Sequence, residues 1–338
     1  MGDGRETPLH AAARRGPLAL VEMLIAGGAL EWDADAAGRT PLDVARRGRA
    51  SDRAAIVALL DRTTYADASF RAAVAAVHAG DVATLARLLD AEPRLLRERI
   101  VEPDAYREAA RTRHRYFLEP KLFWFVANNP TLVERMPGNI TEIARAMLER
   151  GVERPDLDYT LELTMTSAAA REGEHQRPLM AVLLAAGAEP TRDAVVMTAG
   201  YRELDALQAL LDTGRAASVP IAAAFGDTET LAQLLADAGE EDVALAFGLA
   251  VINERIEAAR LALDNGADVN AFLPVHTHGT ALHTAAIYDN VALIEMLLAR
   301  GARTDLRDKL WDGTPLDWAL HEGKPAATTL LQNVGADV

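Results

Sequence analysis

An arginine-rich stretch is the most unusual group of side chains in the sequence. Arg107, Arg111, Arg113 and Arg115 lie close together in a chain whose net charge is −15. In a helix, Arg107 and Arg111 would share one face, as would Arg111 and Arg115. Guanidinium groups bind carboxylates and phosphates through paired hydrogen bonds, so this stretch is a candidate site for an anionic ligand or an acidic peptide. The alternative is that these arginines pair with acidic neighbours on adjacent elements.

An apolar block at residues 122–126 follows the arginines and contains Trp124 and two Phe. A run of this length cannot be assigned to a helix or a strand from its period. It is either a buried helix that anchors the surrounding segment or the aromatic wall of a ligand pocket. In the second case Trp124 contacts the ligand.

Two histidines, His276 and His278, form a His-x-His pair. Neutral imidazoles at this spacing can chelate zinc, but a catalytic zinc site needs a third protein ligand. The pair therefore belongs to an exposed loop, to a peptide or ligand contact, or to a metal site, and we predict no bound metal. The sequence has no zinc-protease motif, no nucleophile elbow and no Gly-rich phosphate loop, so the catalytic residues are unknown and no cofactor is expected.

The elements that must position these side chains are defined by a repeated tetrapeptide. Thr-Pro-Leu-His at residues 7–10 recurs as a related box at 40–43, 280–283 and 314–317, with a spacing of 33 or 34 residues within each pair. Thr caps a helix, Pro fits its first turn, and we expect Leu to point into the core. Each box therefore predicts the start of a helix.

A second pattern, rich in Leu and closed by Gly-Ala, marks the helix that follows each box. The closing Gly suits a helix end in the left-handed conformation. Aligning on this pattern gives roughly ten units at the repeat period. The predicted second helices lie at 21–25, 56–60, 85–89, 143–148, 180–184, 207–211, 231–235, 259–263, 294–298 and 329–331.

On these boxes and helices the chain resembles the ankyrin-repeat family, strongly in residues 3–62 and 266–338 and in a degenerate form in 63–265. The resemblance implies an all-α solenoid of about ten helix-turn-helix units with short β-turn fingers and a concave binding face. Most members of the family bind proteins and few are catalytic. We expect one array over 1–338, with a helical insert at about 90–140.

The family's register also predicts binding residues. In an ankyrin unit, the residues just before the glycine in the middle of the repeat project toward the groove. Aromatic residues and Arg dominate the energetics of protein interfaces, although these positions are equally compatible with plain solvation. The register places in the groove the side chains of Tyr201, Phe225, Asn253, Tyr288 and His321.

Composition limits the remaining choices. Half of the residues are hydrophobic but only 5% are aromatic, which indicates a core built from Ala and Leu. The chain has no cysteine, no long apolar run and a strong negative charge, so we expect no disulfide, no membrane span, no nucleic-acid partner and a cytoplasmic location.

The preferred function is recognition of a protein or peptide. The alternative is an enzyme or a sensor of an anionic small molecule, with its pocket between the 90–140 insert and the groove.

Overall fold

Two compact units, Met1–Pro190 and Thr191–Val338, make up the chain. The computed structural model describes residues 6–31, 33, 35, 39–61, 67–100 and 115–336. The described helices alternate between first helices and Leu-rich second helices. None of these helices is long and apolar enough to span a bilayer.

The described part of the first unit contains five helix pairs. The α-helices are α1 (Pro8–Arg15), α2 (Leu18–Ala26), α3 (Pro41–Arg47), α4 (Arg53–Asp61), α5 (Ala68–Ala79), α6 (Val82–Ala91), α7 (Ile140–Leu148), α8 (Arg154–Met165), α9 (Ala168–Glu172) and α10 (Gln176–Ala185). The 3-10 helices are η1 (Pro93–Leu96), η2 (Arg115–Phe117) and η3 (Leu122–Ala127). In the first layer α1 packs on α3, α5 on η3, and η3 on α8; in the second layer α2 packs on α4, α6 on α7, and α7 on α10.

The second unit also contains five pairs, and its layers are continuous. Its helices are α11 (Arg192–Gly200), α12 (Leu204–Leu211), α13 (Val219–Phe225), α14 (Thr228–Leu235), α15 (Glu240–Ile252), α16 (Ile256–Asp264), α17 (Ala281–Ile287), α18 (Val291–Ala299), α19 (Pro315–His321) and α20 (Pro325–Ala336). The first helices α11, α13, α15, α17 and α19 pack side by side in chain order, and the second helices from α14 to α20 form the other layer. Every predicted second helix is present, so the all-α repeat architecture is confirmed.

The boxes act as helix caps and as links to the next turn. Thr7 accepts a hydrogen bond from the backbone N–H of His10, and the His10 Nε2 atom lies 2.8 Å from the carbonyl oxygen of Arg39. His283 repeats this arrangement, with its Nε2 atom 3.1 Å from the Gly313 carbonyl oxygen. The box histidines are therefore structural, and His283 is already occupied on both ring nitrogens.

The apolar block at 122–126 forms most of η3, whose side chains are all buried. Because η3 packs against α5 on one side and α8 on the other, it occupies the position of a first helix in the fourth pair. Asn128 ends it in the left-handed conformation and accepts hydrogen bonds from the N–H groups of Leu132 and Val133. Part of the predicted insert is thus integrated into the stack of helices.

His78, near the end of α5, packs beside Phe125 of η3, with ring centroids 6.0 Å apart. Its Nε2 atom is buried and has no hydrogen-bond partner among the described residues. Burial lowers the pKa of His78 to about 4, because a charged imidazolium would lose its hydration without gaining a partner. The first unit therefore folds around a neutral histidine.

Replacing His78 should change how the stability of the protein depends on pH. The unfolded histidine binds a proton near pH 6.5 and the folded one only near pH 4, so the free energy of unfolding should fall between these values as pH decreases. The expected loss is about 3 kcal/mol. Urea unfolding at several pH values should show this loss in the parent and in a His321→Leu control. It should be largely absent in His78→Leu, and an unchanged pH slope in that variant would contradict the assignment.

Candidate functional site

The finger at residues 270–279 folds back across the first helices of the second unit. A Cβ atom built on Gly200 would lie only 2.5 Å from Val275 Cγ1, and one on Gly248 only 2.9 Å from Pro274 Cδ. The glycines at the end of α11 and within α15 therefore permit this close approach. The finger itself covers part of the surface that the repeat register assigned to a partner.

The finger holds one histidine against an exposed tyrosine. His276 has a positive φ of 58°, its Nε2 atom lies 3.1 Å from the carbonyl oxygen of Gly200, and its ring packs edge-on against Tyr201 with centroids 5.8 Å apart. Tyr201 remains 54% exposed. The structure thus joins two of the predicted binding residues at one place.

Two other predicted groove residues have structural roles. Asn253 is only 2% exposed, and its amide donates hydrogen bonds to the carbonyl oxygens of Ala199 and Leu249. This amide ties the end of α15 to α11, so the side chain is not available on the surface. Phe225 is partly buried and packs against the core of the second unit.

Tyr288 belongs to a small polar cluster beside Tyr201. The guanidinium of Arg202 lies 4.9 Å from the centre of the Tyr288 ring and donates to Glu254 Oε1 at 2.8 Å. Asn290 donates to the other oxygen of Glu254 at 2.9 Å. These contacts fix Arg202 over the tyrosine, where the cation and the ring attract each other.

The next finger presents a tryptophan to solvent. Asp308 is buried at its base and accepts hydrogen bonds from the backbone N–H groups of Leu310, Trp311 and Gly313 and from the indole of Trp318. The side chain of Trp311 is nevertheless 70% exposed. The tip is therefore fixed by buried hydrogen bonds while its largest side chain is left in solvent.

His278 connects the two fingers. Its ring lies 5.9 Å from Trp311 and 5.5 Å from Trp318, centroid to centroid, and its carbonyl oxygen accepts a hydrogen bond from the N–H of Lys309 at 2.9 Å. No group of three or more His, Asp, Glu or Cys side chains in the described part of the chain could hold a metal ion. Both histidines instead contact aromatic rings: His276 packs against Tyr201, and His278 packs against Trp311 and Trp318.

The exposed and half-buried residues of these two fingers and of the helix ends beside them form what we term the finger surface. It consists of Tyr201, Arg202, His276, His278, Tyr288, Leu310 and Trp311.

Asp308 stays negatively charged because its carboxylate accepts several hydrogen bonds. Burial acts to raise the pKa of its carboxyl group, but the hydrogen bonds from Trp311, Trp318, Leu310 and Gly313 outweigh burial and lower the pKa to about 2. The finger therefore keeps its geometry at any pH well above 2.

The remaining predicted residues lie elsewhere. Arg107, Arg111 and Arg113 fall outside the described residues, and of Arg115 only the backbone, at the start of η2, is described. His321 ends α19 and is exposed. Trp124 is buried in η3 and lines a cleft of about 530 Å³ in the first unit.

Sequence reasoning missed the side chains that are most prominent in the structure. Leu310 and Trp311 are large apolar residues directly before an Asp-Gly turn, which is a recognisable signal for an exposed fingertip. Arg99 and Tyr159, which line the cleft beside Trp124, are not distinguished by any motif. Their proximity depends on how η3 packs against α8.

Family models agree with this architecture. A model of three ankyrin repeats matches residues 219–308 and 249–338, and a model of a single ankyrin repeat matches residues 5–35. Residues 5–35 and 219–338 of this chain are therefore ankyrin repeats. Ankyrin repeats generally mediate interactions between proteins.

Curated relatives match over limited lengths. Ankyrin repeat and SOCS box protein 6 of Mus musculus is 39% identical over 83 residues, which are 24% of this chain and 19% of that protein. The Homo sapiens protein of the same name gives the same identity and coverage. Protein PhlB of Serratia liquefaciens is 32% identical over 121 residues, or 34% of this chain and 52% of that protein. The chain thus spans between about a fifth and a half of the length of these relatives.

Gly200→Ala should displace the finger at 270–279. The new methyl group would occupy the space of Val275 Cγ1, so we expect the free energy of unfolding to fall by about 1–2 kcal/mol despite the better helix propensity of Ala. Gly239→Ala is the matched control, because nothing lies within 4 Å of the added carbon. Limited proteolysis should cut the finger faster in Gly200→Ala only, and equal rates in both variants would contradict the close packing.

Asp308→Ala should release the fingertip. Removing the carboxylate leaves three backbone N–H groups and an indole N–H without their acceptor, which we expect to cost about 3 kcal/mol. Amide hydrogen exchange at residues 310, 311 and 313 should accelerate strongly. Asp312→Asn, at an exposed position of the same tip where φ is 55°, keeps a residue that tolerates the left-handed conformation and should leave those rates unchanged. Retained protection in Asp308→Ala would show that the tip is held by something else.

Proposed function

We propose that the chain recognises a protein partner through the finger surface of its second unit. The observation that supports this most directly is the exposure of Trp311 on a tip that Asp308 holds rigid. An exposed tryptophan is unfavourable in water, and tryptophans are among the residues that contribute most to binding energy at interfaces. A fixed tip also loses little conformational entropy when a partner binds.

The apolar character of the surface continues around Trp311. Leu310 is 61% exposed, and Tyr201 and Leu320 are exposed to more than half. The groove between the helices is partly covered by the finger at 270–279, so in this proposal the partner contacts the outer side of the fingers and the helix ends. This proposal moves the contact away from the concave face on which the sequence predicted it. Asn253, one of the residues predicted to line that face, is buried.

Charge indicates the chemistry of the partner. Residues 191–338 contain 22 Asp and Glu and 10 Lys and Arg, so most of the net charge of the protein lies in this unit. Asp312 and Glu322 are exposed beside the tryptophan and at the end of α19. Opposite charge accelerates association and selects among partners. We therefore propose a basic segment with an aromatic or aliphatic anchor as the preferred partner.

Three further expectations belong to the same proposal. A cytoplasmic location is consistent with a chain that contains no cysteine. A single array over residues 1–338 is supported by the regular alternation of first and second helices in both units. The negative charge makes a protein partner more favourable than a nucleic acid.

Selection of peptides from a random displayed library on the full chain tests the proposal. We expect selected peptides to be rich in Lys and Arg around one large apolar residue and to bind more weakly as salt is raised. Calorimetry should show binding about 10- to 30-fold weaker for Trp311→Ala, and weakened binding for Tyr201→Ala. Met23→Ala changes an exposed apolar side chain of the first unit and is the matched control.

The outcome is decisive in either direction. Peptides that bind Trp311→Ala and Tyr201→Ala as tightly as the parent would exclude the finger surface as the binding site. A library that yields no binder would also contradict the proposal. Peptides that lose affinity for Met23→Ala instead would place the binding site in the first unit.

A further inference from the structure

A cleft in the first unit has features that partner recognition by the second unit does not use. It has a volume of about 530 Å³ and lies between the segment that follows η1, the segment from η2 to η3, and the first turns of α8. Volumes of 300–1,000 Å³ are typical of sites for small molecules. Its lining residues are Arg99, Tyr116, Leu118, Glu119, Trp124, Pro155, Asp156 and Tyr159.

Aromatic rings form much of this lining. The rings of Trp124 and Tyr159 lie 4.5 Å apart, centroid to centroid, at an angle of 60°. Trp124 is buried, Tyr159 is partly buried and Tyr116 is exposed, so a ligand would contact mainly the two tyrosines, with the tryptophan beneath them. Such walls fit a planar, aromatic ligand.

Hydrogen bonds hold these rings in place. The Tyr159 hydroxyl donates to the carbonyl oxygen of Tyr116, and the Tyr116 hydroxyl donates to Asn129 Oδ1 at 3.2 Å. Asn129 in turn donates to the carbonyl oxygen of Leu163 and to Thr166 Oγ1. Burial raises the pKa of Tyr159 to about 12, so its hydroxyl stays protonated at physiological pH. The walls are therefore preorganised.

The acidic residue at the base of the cleft is already neutralised. Asp156 accepts hydrogen bonds from Lys121 Nζ at 2.7 Å and from the Trp124 indole at 3.3 Å. Lys121 also donates to Glu153 at 2.9 Å, and these two carboxylates raise its pKa although burial acts to lower it. Lys121 is thus occupied and is not available to a ligand.

Arg99 is the positive charge that remains. Its guanidinium lies 4.9 Å from the centre of the Trp124 ring, and one of its N–H groups donates to the carbonyl oxygen of Glu119 at 3.3 Å. Within the described ranges no carboxylate lies at ion-pair distance from it. Stacking on the indole fixes the plane of the guanidinium while leaving donors open, which is the geometry that binds a carboxylate.

We propose that this cleft binds a planar aromatic carboxylate, with the carboxylate on Arg99 and the ring against the side chains of Tyr116 and Tyr159. A single guanidinium that has no carboxylate at ion-pair distance among the described residues matches one negative charge. Glu119, which also lines the cleft, disfavours a doubly charged phosphate. Binding at this site does not depend on the finger surface, since all of its residues lie in the first unit.

Calorimetry on the full chain with 2-naphthoate tests the inference. We expect 2-naphthoate to bind and the neutral 2-naphthamide, which has the same shape, to bind at least tenfold more weakly. Arg99→Gln should weaken the binding of 2-naphthoate by about 10- to 100-fold and leave that of 2-naphthamide nearly unchanged. Arg97→Gln, which removes an exposed arginine outside the cleft lining, is the matched control and should bind like the parent.

Other results would overturn the proposal. They are no binding of 2-naphthoate at millimolar concentration, equal binding by Arg99→Gln and the parent, or inorganic phosphate binding more tightly than 2-naphthoate. The comparison of the two ligands uses the unaltered protein, so it decides the question even if a variant folds poorly. Because Trp311→Ala should leave naphthoate binding unchanged, failure here is distinguishable from failure of the finger surface.

Discussion

The close approach of neighbouring first helices is the constraint on which the rest of this structure depends. Within each unit a helix pair buries one side against the next pair, and in the second unit the first helices approach closely through small residues such as Ala222, Ala223, Ala285 and Ala286, all of which are buried. A core of this kind needs few aromatic residues, which explains their low number. The aromatic side chains that remain are then concentrated where the repeat is irregular.

Both candidate sites arise from irregularities of this kind. In the second unit, Gly200 and Gly248 let the finger at 270–279 lie directly on helices, and this places His276 against Tyr201. In the first unit, a short 3-10 helix takes the place of a first helix. A cleft lies beside Trp124, between this element and the longer α8. A strictly regular array would have neither feature.

Three ionisable side chains, Asp308, His78 and Arg99, have different roles for a physical reason. Asp308 is buried but accepts four hydrogen bonds, so its charge is stabilised and serves to hold the fingertip. The Nε2 atom of His78 is buried without a partner among the described residues, so this histidine remains neutral. Arg99 is exposed and stacked on an indole, so its charge is available to a ligand. Burial and hydrogen bonding together, rather than residue type, determine which charge is structural.

The sequence by itself determined the architecture, because a box that caps a helix and a glycine that ends one are local signals with fixed spacing. It located every second helix in the described part of the chain. Only the tertiary structure decided which side chains meet. Asn253 is buried where its amide donates a hydrogen bond to a backbone carbonyl oxygen of α11. Arg99 lies over Trp124 because η3 packs beside α8. Such contacts join residues that are distant along the chain, and no repeat period encodes them.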